Sequence, residues 1–124
     1  GYEMKLSDFL AYSDRSADDL PLYLFDKQFA AKAPKMAAEY DVPGQFGEDL
    51  FGLLGEEHRP DYRWLIAGPA RSGSSFHKDP NATSAWNAVV RGRKKWILFH
   101  PSQPPPGVHP SPDGSVVMQP VTLI

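Results

Sequence analysis

From Tyr62 onward the sequence breaks into short β-prone runs divided by glycine and proline, and that rhythm most limits what the chain can become. Arg63-Trp64-Leu65-Ile66-Ala67 predicts a strand closed by Gly68-Pro69. Ser74–Lys78 predicts a second strand, Ser84–Val90 a third and Lys94–Phe99 a fourth. Arg91-Gly92-Arg93 makes a short turn between the last two, which reads as an antiparallel hairpin. Pro101 to Pro112 is a predicted loop, with five prolines in Pro101 to Pro110 alone, and Val116 begins a further strand. Strands of this number and length point to a sandwich or jelly roll. An eight-stranded double sheet needs more chain than follows Tyr62, so a partial one is expected, stopping before the last strands. The apolar run Val121-Thr122-Leu123-Ile124 is strand-like and has no partner after it.

Residues 1–60 have a different pattern and predict a helical lead-in with one short strand. Ser7 is placed to cap a helix through Phe9, Leu10 and Tyr12. A second helix is expected from Ala30 to Tyr40, ended by Asp41-Val42-Pro43-Gly44, and a third from Gly47 to Leu54, closed by Gly55. Between the first two, Leu22-Tyr23-Leu24-Phe25 reads as a short strand.

Composition adds exclusions. The 124 residues suit one domain or part of one, and 41% hydrophobic content fits a globular chain. A formal charge of −2 gives no global attraction to nucleic acid or membrane. Without cysteine there is no disulfide, no zinc–thiolate site and no thiol nucleophile, a composition that leans towards an intracellular chain. No apolar run approaches the roughly 18 residues of a membrane span. Asn81-Ala82-Thr83 matches a glycosylation acceptor, but the amino terminus lacks a secretory pattern, so it reads as a chance match.

The chemistry centres on Phe76-His77-Lys78-Asp79-Pro80. On an extended chain residues i and i+2 share a face, so an imidazole and a carboxylate project together. They are two of the three ligands of a facial triad, which holds non-haem iron(II) and leaves positions open. A surface His and Asp in a turn before Pro80 is the plain alternative. Lys94 shares a strand face with Trp96 and Leu98, where an ammonium among apolar groups calls for an anion. The rival reading makes Arg91, Arg93, Lys94 and Lys95 a solvated basic turn or a nuclear-localisation patch. Asn87 offers an amide to the same pocket or is an ordinary strand polar residue.

Other segments read as structural. Gly68-Pro69-Ala70-Arg71-Ser72-Gly73-Ser74-Ser75 lacks the lysine and helix of a phosphate loop and serves as a connection. Trp64, Trp86 and Trp96 are expected in the core. Asp18-Asp19 is expected to be a solvated turn, and His58 an exposed loop residue.

Taken in order, Tyr62-Arg63-Trp64, Gly68-Pro69, Arg71-Ser72-Gly73, His77-Lys78-Asp79-Pro80, Thr83-Ser84-Ala85-Trp86-Asn87 and Gly92-Arg93-Lys94-Lys95-Trp96 resemble the JmjC proteins. The nearest branch is that of nuclear protein lysyl hydroxylases and arginine demethylases, with F-box relatives in fungi and algae. Pro21-Leu22-Tyr23-Leu24-Phe25-Asp26 and Asp49-Leu50-Phe51 extend the likeness upstream.

The resemblance implies a cupin-like jelly roll, of which residues 61–124 are the N-terminal half. It implies iron(II) and 2-oxoglutarate as cofactors, a protein substrate and a nuclear location. His77 and Asp79 fall on the iron ligands. Lys94 falls on the lysine that pairs with the distal carboxylate of 2-oxoglutarate. Asn87 falls beside the co-substrate, Tyr23 on a tyrosine that hydrogen-bonds that carboxylate, and Ser74 where a threonine lines the pocket.

One feature of the family is missing. The resemblance implies a third iron ligand, a histidine on a later strand in a segment like Gly-Trp-Trp-His, and no such segment follows Asp79. His100 and His109 are the imidazoles downstream. His109 falls in the proline loop, and His100 lies six residues past Lys94, roughly 20 Å along an extended strand. The expected function is therefore the N-terminal part of a dioxygenase acting on protein side chains, inactive in isolation and completed by a downstream segment or complementary chain. The alternative is a non-catalytic JmjC-like interaction module.

Overall fold

Proline and glycine break up the helical stretches between residues 29 and 58. The computed structural model describes residues 3–79, 83–110 and 117–118. They fall into two compact units, Gly1–Gly73 and Ser74–Ile124.

In the first unit, helix α1 spans Leu6–Ser13 and buries Phe9. Its N-cap is Lys5, without a side-chain cap, so Ser7 does not play the capping part expected of it. Ser7 lies inside the first turn and donates to Asp8 Oδ1 at 3.4 Å, and Asp8 is the acid that favours the positive end of the helix. From the last turn, the Tyr12 hydroxyl donates to Asp18 Oδ2 at 2.7 Å. It accepts from Leu22 N at 2.8 Å and Ser16 Oγ at 3.0 Å, fastening the following loop to the helix. Asp18 is therefore bonded rather than simply solvated.

That loop delivers the chain to strand β1, Leu24–Asp26, which pairs antiparallel with β2, Leu65–Ala67. The register is Leu24 with Ala67, Phe25 with Ile66 and Asp26 with Leu65. Phe25 and the neighbouring Trp64 contact across it, with ring centroids 5.8 Å apart. β2 lies within its expected run, shortened at the start, while β1 overlaps its expected run but begins at Leu24 and extends to Asp26.

The expected helix from Ala30 to Tyr40 is instead two, α2 at Phe29–Lys32 and α3 at Pro34–Ala37. Pro34 is the cause: its ring bars the helical region to the preceding residue, and Ala33 sits at φ −134°, ψ 69°. Proline then occupies the first turn of α3, where its missing N–H costs nothing. The helix expected from Gly47 to Leu54 is instead a 3₁₀ turn at Leu50–Leu54, and another, Gly44–Phe46, precedes it. Glycines at 44, 47 and 52 disfavour a continuous helix, and the Asp49 side chain accepts from Phe51 N at 3.1 Å to start the second turn. Gly55, at φ +70°, opens α4, Gly55–His58, so His58 ends a short helix and remains exposed.

In the second unit, strand β3, His109–Pro110, pairs antiparallel with β4, Val117–Met118. The expected loop thus ends earlier, with His109 opposite Met118. Among the described residues, Ser74–Lys78, Ser84–Val90 and Lys94–Phe99 form no ladder with one another. An isolated hairpin is marginal without a third strand or a helix on its face. Gly92 does take the positive φ, +89°, that the expected turn needs. Phe76 meets Phe99 edge-on at 5.8 Å, bringing the first and last of these segments together through side chains.

The buried hydrophobic side chains among the described residues are Phe9, Phe29 and Val108. Trp64 and Trp96 do not enter a core: they are 39% and 56% exposed, and Trp86 is half-buried. Each of the first two has one face covered, Trp64 by Phe25 and Trp96 by Lys94. No described helix is long and apolar enough to cross a membrane. The Asn81-Ala82 part of the acceptor motif and the Val121–Ile124 run lie outside the described residues.

Candidate metal centre

The His-x-Asp pair has the geometry its spacing predicts. His77 Nε2 lies 3.3 Å from Asp79 Oδ1, and both side chains are about half exposed, at 50% and 48%. Two donors bound at right angles to one ion, each about 2.1 Å from it, stand about 3 Å apart, so this separation suits neighbouring ligand positions. The imidazole is oriented from behind: Nδ1 lies 2.6 Å from the Ser75 carbonyl oxygen, which can only accept. That bond puts a proton on Nδ1 and turns Nε2 towards Asp79, the orientation of metal-ligating histidines. The donor set therefore fits iron(II): one neutral nitrogen and one anionic oxygen.

Among the described residues no third His, Cys, Asp or Glu joins the pair. His100 is engaged locally, its Nδ1 accepting from Ser102 Oγ at 2.7 Å and from Ser102 N at 3.3 Å. His109 is held in β3.

The other site residues are distributed as follows. Lys94 is half-buried, with Nζ 4.4 Å from the centroid of the Trp96 ring, which agrees with the shared face expected from their spacing. Asn87 and Ser74 are exposed. Tyr23 belongs to the first unit, just before β1, and is half-buried. Across the ladder from it, Gly68 follows β2. A Cβ at Gly68 would collide with Ser72 Oγ and come within 2.9 Å of Tyr23 Cδ2. Glycine there lets the tyrosine ring lie against the backbone.

Sequence reasoning missed Ser75 and Gly68. The first acts through a carbonyl that every residue possesses, so it has no sequence signal. The second had one, a glycine directly after a strand, which was read only as a terminator.

Residues 2–117 match the family described as the cupin-like domain. The chain belongs to this cupin-like, JmjC-type family. It is 64% identical over 122 residues to the arginine-specific demethylase JMJ22 of Arabidopsis thaliana, covering 98% of this chain and 24% of that protein. It is 54% identical over 107 residues to the human 2-oxoglutarate and iron-dependent oxygenase JMJD4, covering 81% and 25%. With the bifunctional arginine demethylase and lysyl-hydroxylase psr-1 of Caenorhabditis elegans it shares 44% over 103 residues, covering 82% and 26%. The chain thus spans about a quarter of the length of these relatives. Cupin-like domains are jelly rolls, the class expected from the strand pattern.

Proposed function

We propose that the protein containing this chain is an iron(II)- and 2-oxoglutarate-dependent dioxygenase acting on protein side chains. Lysyl hydroxylation is the first reaction to test and arginine or lysine demethylation the second. The observation that carries this reading is the His77–Asp79 pair, 3.3 Å apart, with His77 Nδ1 tied to the Ser75 carbonyl. Membership of the cupin-like family and the names of its relatives support it.

When bound, iron(II) supplies dioxygen activation, with 2-oxoglutarate oxidised to succinate and carbon dioxide as one oxygen atom enters the substrate. The residues of this chain bind and orient. His77 offers Nε2, and Asp79 offers a carboxylate whose charge offsets that of the cation. By the family's pattern Lys94 pairs with the distal carboxylate of 2-oxoglutarate and Tyr23 hydrogen-bonds it, Asn87 lies beside the co-substrate, and Ser74 lines the pocket. Helices α1 to α4 with β1 form a lead-in to the jelly roll. These 124 residues supply two ligands, and turnover requires a third from another segment or chain. A nuclear location goes with this reading, and the protein substrate is the partner it requires.

A second reading, a non-catalytic interaction module, is favoured by the exposure of Val89, Val90 and the run Trp96–Phe99. Succinate release with iron(II) and ascorbate separates the two. The oxygenase reading expects none from these 124 residues, turnover once the downstream segment is present, and its loss in His77→Ala. No turnover with that segment present would overturn it in favour of the module.

A further inference from the structure

The oxygenase reading gives Lys94 the task of meeting a carboxylate, yet a lysine head on four rotatable bonds does not stay in one place unaided. Among the described residues no carboxylate forms an ion pair with Lys94. Its identified neighbour is the indole of Trp96, with Nζ 4.4 Å from the ring centroid. The arrangement follows from the chain itself. Gly92, at φ +89°, turns the backbone, and beyond it the alternation of an extended segment puts positions 94 and 96 on one side. Arg93 and Lys95 are exposed while Lys94 is half-buried.

We infer that Trp96 is a positioning residue for the co-substrate: its ring face seats the Lys94 ammonium so that the ammonium's remaining N–H donors meet the distal carboxylate of 2-oxoglutarate. The inference rests on the assignment of Lys94 to that carboxylate. An indole face attracts a cation without occupying its hydrogen-bond donors, so holding the head and binding the anion are compatible. A carboxylate in the place of Trp96 would neutralise the charge the anion needs. Trp96 is also 56% exposed, so it is not held in place as a core side chain, and replacing it opens no buried cavity.

The test is calorimetric titration of 2-oxoglutarate into the whole protein loaded with Mn(II) under nitrogen, which reads binding without turnover. Trp96→Leu should weaken 2-oxoglutarate binding about three- to tenfold and leave Mn(II) affinity unchanged. Trp96→Phe, which keeps a ring face, should recover most of the loss. Lys94→Met should weaken binding further, and adding Trp96→Leu to it should cost nothing more. Wild-type binding by Trp96→Leu beside weak binding by Lys94→Met would overturn the positioning role and leave the assignment of Lys94 intact. Equal losses from Trp96→Leu in both backgrounds would overturn it as well, since the indole would then act independently of Lys94. Wild-type binding by Lys94→Met would instead sink the assignment on which the inference depends.

Discussion

At the scale of single residues, local hydrogen bonds decide which atoms are available. His77 presents Nε2 because its Nδ1–H donates to the Ser75 carbonyl oxygen. The face shared by His77 and Asp79, and that shared by Lys94 and Trp96, could be read from spacing. The ring tautomer could not, because the group that fixes it is backbone. Asp26 shows the same dependence on near neighbours. Its carboxyl is held below its ordinary value first by the Gln28 N–H, donated to Oδ1 at 2.7 Å, and then by Lys32 at 3.2 Å from Oδ2. A depressed folded pKa gives stability that is present above the ordinary carboxylate value and lost as pH falls through the folded one. Asp26→Asn keeps the turn but not the charge. It should therefore be less stable than wild type near neutral pH, and the gap should close in acid, as urea unfolding at the two pH values would show. The Lys94 site allows a parallel test of charge against shape. Lys94→Arg should retain part of the 2-oxoglutarate affinity that Lys94→Met loses, checked by the same titration.

At the scale of elements, the β1–β2 ladder is what places Tyr23, and Gly68 gives the ring its room. Gly68→Ala should cost about 1 to 3 kcal/mol through the contacts with Ser72 and Tyr23, and thermal unfolding would measure it. A second fastening lies at the end of α4. The Arg59 guanidinium stacks 3.4 Å from the centroid of the Tyr62 ring and is ion-paired with Asp49 and, at 3.4 Å, with Glu56. Both acids are largely exposed while the arginine side chain is 12% exposed, so the ring contact outweighs the ion pairs. Arg59→Ala should lower stability by about 1 to 2 kcal/mol, with little sensitivity to added salt. The strands of this unit were legible because β-branched and aromatic runs sit between glycine and proline stops. The break between α2 and α3 was equally legible in Pro34, which the helix expected from Ala30 to Tyr40 runs straight through. The segments from Ser74 to Phe99 show the limit. Their alternation states which face each side chain takes, but a ladder depends on partners elsewhere in the sheet.

At the scale of the whole molecule, the family places this chain in a jelly roll, and the chain covers about a quarter of relatives such as JMJ22 and psr-1. In the proposed function, the His77–Asp79 pair is the half-site that ties that fold to a chemistry. Its two donors lie only two positions apart in sequence, which is why the pair was visible without a structure. The third ligand and the protein substrate that the proposed function calls for would depend on long-range geometry that no local pattern encodes. The most direct measurement is the Mn(II) affinity of the whole protein by electron paramagnetic resonance, comparing wild type with His77→Ala, Asp79→Ala and His100→Ala. The account predicts losses of about 100-fold or more for the first two and none for His100→Ala. Wild-type affinity in His77→Ala would contradict it, and so would a loss confined to His100→Ala.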